Sequence, residues 1–406
     1  MSLQTFIQPL IFISSGTSCN DIIEYIKKIE NDHSFNSNQR NIIESIDYEE
    51  FSKLDELGVK EVFNIMKSNK NKNLIQNVPS YDLIFTGTDI PSIETAMILF
   101  NNNMNKKICP VPFISSMSET LKNKSPERLK TFKSLFIDPI NQSTEKNYWK
   151  TKKINKSISN NVSLIESKVN NIDWNFTEDI KFPKVSSSQY NIERIKPINL
   201  FSNTPITFRK KILQRYIQYG IEFNQIQPIR NNYGKKILKN FFIVCEPDVI
   251  ADFLKEVRDQ RYNSKKHIVE RSSIWRINME IKVKNIGDSM DFKYTSHEKI
   301  YPTTNNYGVL EKSGNNYFYN YKNINHLLVD PLQENLPLNL YRNLDCKLCD
   351  MSDQIRESIK IIQNKFSNQK KNNKNFQKTN NIVVSKNITK QPLNSFEGVL
   401  SAFGIS

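Results

Sequence analysis

Leu10-Ile-Phe-Ile-Ser-Ser-Gly-Thr-Ser-Cys-Asn20 decides how this chain is read. Four apolar residues stop at Ser14-Ser15-Gly16, and a helical pattern begins directly afterwards. A short apolar run bounded by turn residues reads as a buried strand of a parallel sheet. Ser18 suits the N-cap, and Ile22, Ile23, Ile26 and Ile29 give the next helix one apolar face. Ligands of open α/β sheets sit at the carboxyl ends of the strands, so residues 14–18 are where a site is expected.

Two further runs repeat the pattern. Tyr81-Asp-Leu-Ile-Phe85 stops at Thr86-Gly87-Thr88, with a helix expected from about Pro91 to Phe100. Phe241-Phe-Ile-Val-Cys245 is followed by Glu246-Pro247 and a helix from about Asp248 to Val257. Asp55 to Lys67 carries Val59, Val62, Phe63 and Met66 at helical spacing, and Cys109 to Phe113 reads as a short extended segment. Alternation over 272–284 marks another strand, and 290–345 reads as short strands packed on the core. Residues 31–50 show no clear period. Thr204-Pro205 opens a further helix, and Asp353 to Phe366 reads as an amphipathic one.

These elements give a three-layer α/β fold with a mainly parallel central sheet. Its discontinuous core is 1–140 and 205–345, interrupted by an insertion at 141–204 rich in Asn, Ser and Lys. An amphipathic helix at 346–366 and a flexible basic tail at 367–406 follow.

The bulk numbers narrow the class. At 406 residues, 38% hydrophobic and 11% aromatic, the chain can bury a large core. No apolar run approaches the ~18 residues of a membrane span. The first basic residue is Lys27, so no secretory leader is expected. Five cysteines without a disulfide framework point to an intracellular, reducing compartment, the cytoplasm or a virion. The abundance of Asn, Lys and Ile fits an AT-rich genome such as that of a large DNA virus or a protist.

Over half of the net charge of +15 lies between Lys360 and Lys390, where eight lysines meet no acid. Lys370, Lys371, Lys374 and Lys378 are the candidates for non-specific phosphate contact with nucleic acid, and a merely solvated linker fits the same residues. Beyond the Pro392 break, Asn394 and Glu397 have capping-box spacing, and Phe396, Leu400 and Phe403 fall at i, i+4 and i+7. That pattern reads as a docking peptide for a protein partner, against the plainer reading that it packs back on its own domain.

Four pieces in order resemble the histidine phosphatase (phosphoglycerate-mutase-like) superfamily. Ile11 to Ser18 is similar to its first strand and Arg-His-Gly-x-Ser turn, and Phe51 to Lys67, with Leu54 and Gly58, to its following helix start. Asp82 to Ala96 resembles its Ser-x-x-x-Arg-x-x-Gln-Thr-Ala segment, and Asn240 to Asp248 the strand that ends in its second His. The resemblance implies a nucleophilic His beside two Arg and a second His, a cluster of donors that stabilises transferring phosphoryl. Carried onto this chain, those four positions are Ser14, Ser15, Pro91 and Glu246, and every one departs. Only the family's proton-donating acid has a counterpart, Glu119.

No Lys, Arg or His occurs in 1–26, 78–105 or 240–254, so the three strand ends are expected to be bare of positive charge. A non-catalytic pseudophosphatase that binds or scaffolds, with no cofactor, is therefore the leading expectation. One alternative is a rebuilt enzyme, with Glu246, Asp89 and Asp21 as a carboxylate cluster for a divalent cation. Another is a nucleic-acid-associated protein acting through the tail. Ser14 and Ser15 lack a nearby His as base, and small residues in a tight turn are the preferred reading. Cys346 and Cys349 have half of a zinc spacing and, even with His326, lack a fourth ligand.

Overall fold

The structure is a computed structural model that describes residues 4–30, 36–47, 52–78, 80–87, 89–100, 106–111, 114, 213–214, 229–230, 236–256, 269–283, 290–302, 308–313, 316–321, 354–365 and 368. The expected insertion, Glu119, Cys346, Cys349, the tail lysines and Phe396, Leu400 and Phe403 lie outside the described residues.

Strands β1 (Gln4–Ser14), β2 (Ser80–Thr86), β3 (Lys107–Pro110) and β6 (Asn240–Cys245) run parallel in the order β3-β2-β6-β1. The chain leaves β1 and skips one position to make β2, and β6 later fills the gap. Paired on both sides, β6 is buried at all of its residues, which is why its run is continuously apolar rather than alternating. The three apolar runs are thus adjacent strands, with Ile13 opposite Val244 and Thr86 opposite Val244 across the two ladders.

The far edge of β1 pairs antiparallel with β7 (Ile274–Val283), and β7 with β8 (Asp291–Tyr301). Short strands β4 (Ile229–Arg230) and β5 (Lys236–Ile237) complete an eight-stranded sheet among the described residues. Along β1, β5 pairs with Phe6 and Ile7 and β6 with Leu10 to Ser14. Pro9, which has no N–H for a ladder, falls at that gap, and the buried Gln8 side chain bridges it by donating to Lys239 O at 2.8 Å.

Side chains alternate across the sheet. Leu10, Phe12, Phe85, Phe241 and Ile243 join a core with Val249, Ile250 and Phe253 of α6 (Pro247–Glu256). Ile11, Ile13, Ile84, Phe242 and Val244 join a second core with Val59, Val62 and Ile65 of α3 (Glu56–Lys67) and Ile93 and Ala96 of α5 (Ile90–Leu99). Helices therefore cover both faces of the sheet, as the α/β reading requires.

Ser18 caps α1 (Cys19–Glu30): its Oγ accepts from Asp21 N at 3.2 Å, while Asp21 Oδ2 accepts from Ser18 N at 2.6 Å. This reciprocal pair satisfies two end donors. Asp55 and Asp89 cap α3 and α5 in turn.

Several expectations need correction. Residues 37–44 form α2 (Ser37–Glu44), opened by an Asn36–Gln39 capping box within a stretch that shows no period. After α3 the chain continues through α4 (Asn69–Lys72) and a π-helical turn (Asn73–Asn77). Among the described residues of 290–345, β8 is a long strand that widens the main sheet, and β9 (Gly308–Ser313) and β10 (Asn316–Tyr321) pair as a separate hairpin.

Helical residues 354–365 bury Ile355, Ile359 and Ile362, the expected apolar stripe. By contact density, Met1–Ser358 forms one unit and Ile359–Ser406 another. Among the described residues no helix is long and apolar enough to cross a membrane. Cys19, Cys109 and Cys245 are buried thiols.

Candidate functional site

The loops after β1, β2 and β6 meet at one end of the sheet. Ser15 N donates to Cys245 O at 2.9 Å, and Gly87 N donates to Val244 O at 2.9 Å, tying all three strand ends together. Two glycines let the first loop close on α3. A Cβ on Gly58 would lie 2.1 Å from Thr17 O, and one on Gly16 would lie 2.7 Å from Gly58 O. Only glycine allows backbones to approach so closely.

Of the positions expected to matter, the structure brings Ser15 and Glu246 into contact. Ser15 Oγ donates to Glu246 Oε1 at 2.6 Å. Ser14 is buried beneath them, its N–H donating to Ser273 O at 2.8 Å. Pro91 is buried in the first turn of α5, where it contributes no N–H. Gly16 N donates to Thr95 Oγ1 of the same helix at 3.1 Å.

The expectation of strand ends without positive charge is wrong. Arg271, from the turn before β7, delivers a guanidinium that is only 7% exposed into this end of the sheet. Its Nη1 donates to Ser15 Oγ at 2.7 Å and to Glu246, and its Nη2 donates to Asp21. The turn is fastened to the first motif: Ser272 N donates to Ser15 O at 3.0 Å, and Ser272 holds a left-handed φ of 56°. A non-glycine residue in that region costs about 1 kcal/mol or more and persists only where its surroundings enforce it.

No local sequence signal marks Arg271; the direction of β7 brings it here. A strand antiparallel to β1 begins where β1 ends, and Ile274 does sit opposite Ile13, so the residues just before β7 land at the site.

Acids outnumber this base. Burial pushes Glu246 up to about 8, with Asp89 and Asp21 adding to the rise while Arg271 and the Ser15 hydroxyl oppose it. Glu61 is fully buried, and burial pushes it up to about 7 against the hydrogen bonds it accepts from Thr17 Oγ1 at 2.8 Å and Thr17 N at 3.1 Å. Glu24 rises to about 7 through burial and then Asp21. Among the described residues, Arg271 therefore stands with five acidic side chains, Asp21, Glu24, Glu61, Asp89 and Glu246, and Lys28 acts on Glu24 from the side.

This geometry bears on three chemistries. A phosphate monoester entering beside Ser15 would compete with Asp21 and Glu246 for the one guanidinium, and each displaced carboxylate would repel it. A divalent cation shared by Asp21 and Glu246 would meet Arg271 between them. Among the described residues no group of three or more His, Cys, Asp and Glu side chains is placed to hold a metal. Serine chemistry gains a partner that the sequence did not reveal, since Glu246 lies within hydrogen-bond reach of Ser15 as a base. Ser15 itself, however, is 0% exposed, and its oxygen already accepts from Arg271.

Neither a protein-family model nor a curated protein matches this chain.

Proposed function

We propose that the chain is a non-catalytic, histidine-phosphatase-like protein that acts by binding or scaffolding, its strand-end pocket closed by its own ion pairs. Arg271 carries this reading. Its guanidinium is paired with Asp21 and Glu246 and hydrogen-bonded to Ser15. Phosphoryl transfer needs donors aimed at the charge that develops in the transition state. Here those donors already face internal carboxylates. The position matching the family's nucleophile is a buried serine, and losing a nucleophile from a coupled set costs on the order of 10⁶ in rate.

Purified protein assayed with p-nitrophenyl phosphate and a phosphoserine peptide should show no turnover above background. Ser15→His should remain inert, because Ser14, Pro91 and Glu246 supply no donors for the phosphate. A turnover that Ser15→Ala abolishes would overturn the proposal.

A second reading, a rebuilt serine hydrolase, is favoured by the 2.6 Å contact between Ser15 and Glu246. A fluorophosphonate probe separates the two. Labelling at Ser15 that is lost in Glu246→Gln supports the hydrolase, and an unlabelled native chain supports the closed pocket.

Binding is assigned to the C-terminal arm. Replacing Phe396, Leu400 and Phe403 by Ala should abolish capture of a protein partner with little dependence on salt. Lys→Gln changes at Lys370, Lys371, Lys374 and Lys378 should reduce only salt-sensitive nucleic-acid retention. If the triple-Ala chain keeps its partners and the Lys→Gln chain loses them, the arm is electrostatic.

A further inference from the structure

One oxygen of Glu61 gathers donors from two separate segments. Its Oε2 accepts from Thr17 Oγ1 at 2.8 Å and Thr17 N at 3.1 Å, and more weakly from Ser272 Oγ at 3.5 Å. Thr17 belongs to the β1 loop and Ser272 to the turn that carries Arg271, so a single carboxyl joins both to α3. The side chain is buried, and its Oε1 has no hydrogen-bond partner among the described residues.

That division matters for charge. A carboxylate held here is a buried anion with one oxygen unsatisfied, and burying an ionised group costs far more than burying a neutral polar one. A proton on Oε1 removes the charge and leaves every bond to Oε2 in place. The surrounding groups do not offset the charge. Arg271 favours the anion but is already paired with Asp21 and Glu246, and Asp21 of α1 disfavours it. Residues 14–18 of the β1 loop carry no titratable side chain. Glu94 of α5 accepts from Leu54 N at 2.7 Å, and on α3 itself Asp55 caps the helix while Glu56 pairs with Arg356. Burial outweighs them and pushes Glu61 up to about 7.

We propose that Glu61 is a proton-operated latch on the strand-end pocket: protonated, it holds the β1 loop, the start of α3 and the Arg271 turn closed over Ser15, and ionised, it lets them loosen. The latch rests on the closed pocket proposed above and holds whether or not Ser15 is catalytic. A carboxyl raised in the closed state stabilises that state fully below its open value near 4.5. This contribution is lost as pH climbs through about 7. Closure is therefore firm in acid and weakest above neutrality.

Hydrogen exchange of the full chain, read by mass spectrometry at pH 6 and pH 8.5 and corrected for intrinsic rates, tests the latch. The reporters are the amides of Thr17, Asp55 and Ser272, which bond to Glu61, Thr17 O and Ser15 O. Opening returns Glu61 from about 7 to near 4.5. Between the two pH values the opening constant should therefore rise about tenfold more in the native chain than in Glu61→Gln. Glutamine keeps an acceptor oxygen for Thr17 and carries no charge. At pH 8.5 the native reporters should also exchange faster than the amides of β6, which marks local opening rather than global unfolding. Native opening that does not change with pH, an equal change in Glu61→Gln, or exchange no faster than in β6 overturns the latch alone. Reporters unprotected in both chains already at pH 6 overturn the closed pocket together with it.

Discussion

Replacing Arg271 by Ala tests whether the strand ends are held together by charge. The guanidinium makes polar contacts to Ser15, Glu246 and Asp21 and is 7% exposed, with Asp21 and Glu246 at 12% and 15%. Removing one partner of a buried pair costs about 3–5 kcal/mol, because the remaining charge is left without compensation. Two carboxylates are stranded here, but each retains some access to water, so the lower end, ~3 kcal/mol, is expected at pH 9.

The penalty must depend on pH. Glu246 lies at about 8 with Arg271 pulling it down, so without Arg271 it rises further and carries a proton at pH 6. A carboxyl raised in the folded state contributes stability that is fully present below its unfolded value near 4.5. That stability is lost as pH climbs through the folded value. The loss from Arg271→Ala should therefore be larger at pH 9 than at pH 6. Urea unfolding of both chains at the two pH values measures it. A penalty below about 1 kcal/mol at both, or one that shrinks as pH rises, would refute the role given to Arg271.

The same cluster yields other expectations. Glu61→Gln removes a buried carboxyl raised from 4.5 to about 7; stability curves of the two chains should diverge by about 3 kcal/mol between pH 4.5 and 7.5, the variant lacking the native decline, and parallel curves would refute the assignment. Gly58→Ala drives a methyl group to within 2.1 Å of Thr17 O, and backbone must shift, so a loss of about 1–3 kcal/mol is expected in thermal or urea unfolding. Glu246→Ala removes one of the acids paired with Arg271, and titration calorimetry should detect phosphate binding that the native chain lacks.

Much of the scaffold was legible because it is written locally. The runs ending at Ile13, Phe85 and Val244 became neighbouring strands, and Ser18 became a helix cap, since burial on both faces and end-capping both leave signatures within a few residues. Polar helices leave weaker ones. Residues 37–44 bury Ile43 alone, so no stripe betrays them, although the Asn36–Gln39 box was there to be found. The site was half legible. Ser15 and Glu246 were placed correctly at the strand ends, but Arg271 comes from a polar turn 25 residues beyond Glu246. Its arrival depends on the direction of β7, which a half-buried alternating strand does not disclose.

The contact between the β1 loop and α3 has a consequence for motion. Thr17 is gripped on every side: its N–H and hydroxyl by Glu61, its carbonyl by Asp55 N at 2.9 Å, its flank by Gly58. Residues 15–17 and 54–61 therefore cannot open separately, and their amides should exchange with solvent as one cooperative unit. The Arg271 turn is tied into the same unit, Ser272 N donating to Ser15 O at 3.0 Å and Ser272 Oγ to Glu61 Oε2 at 3.5 Å, so a molecule reaches Ser15 only when loop, helix start and turn loosen together.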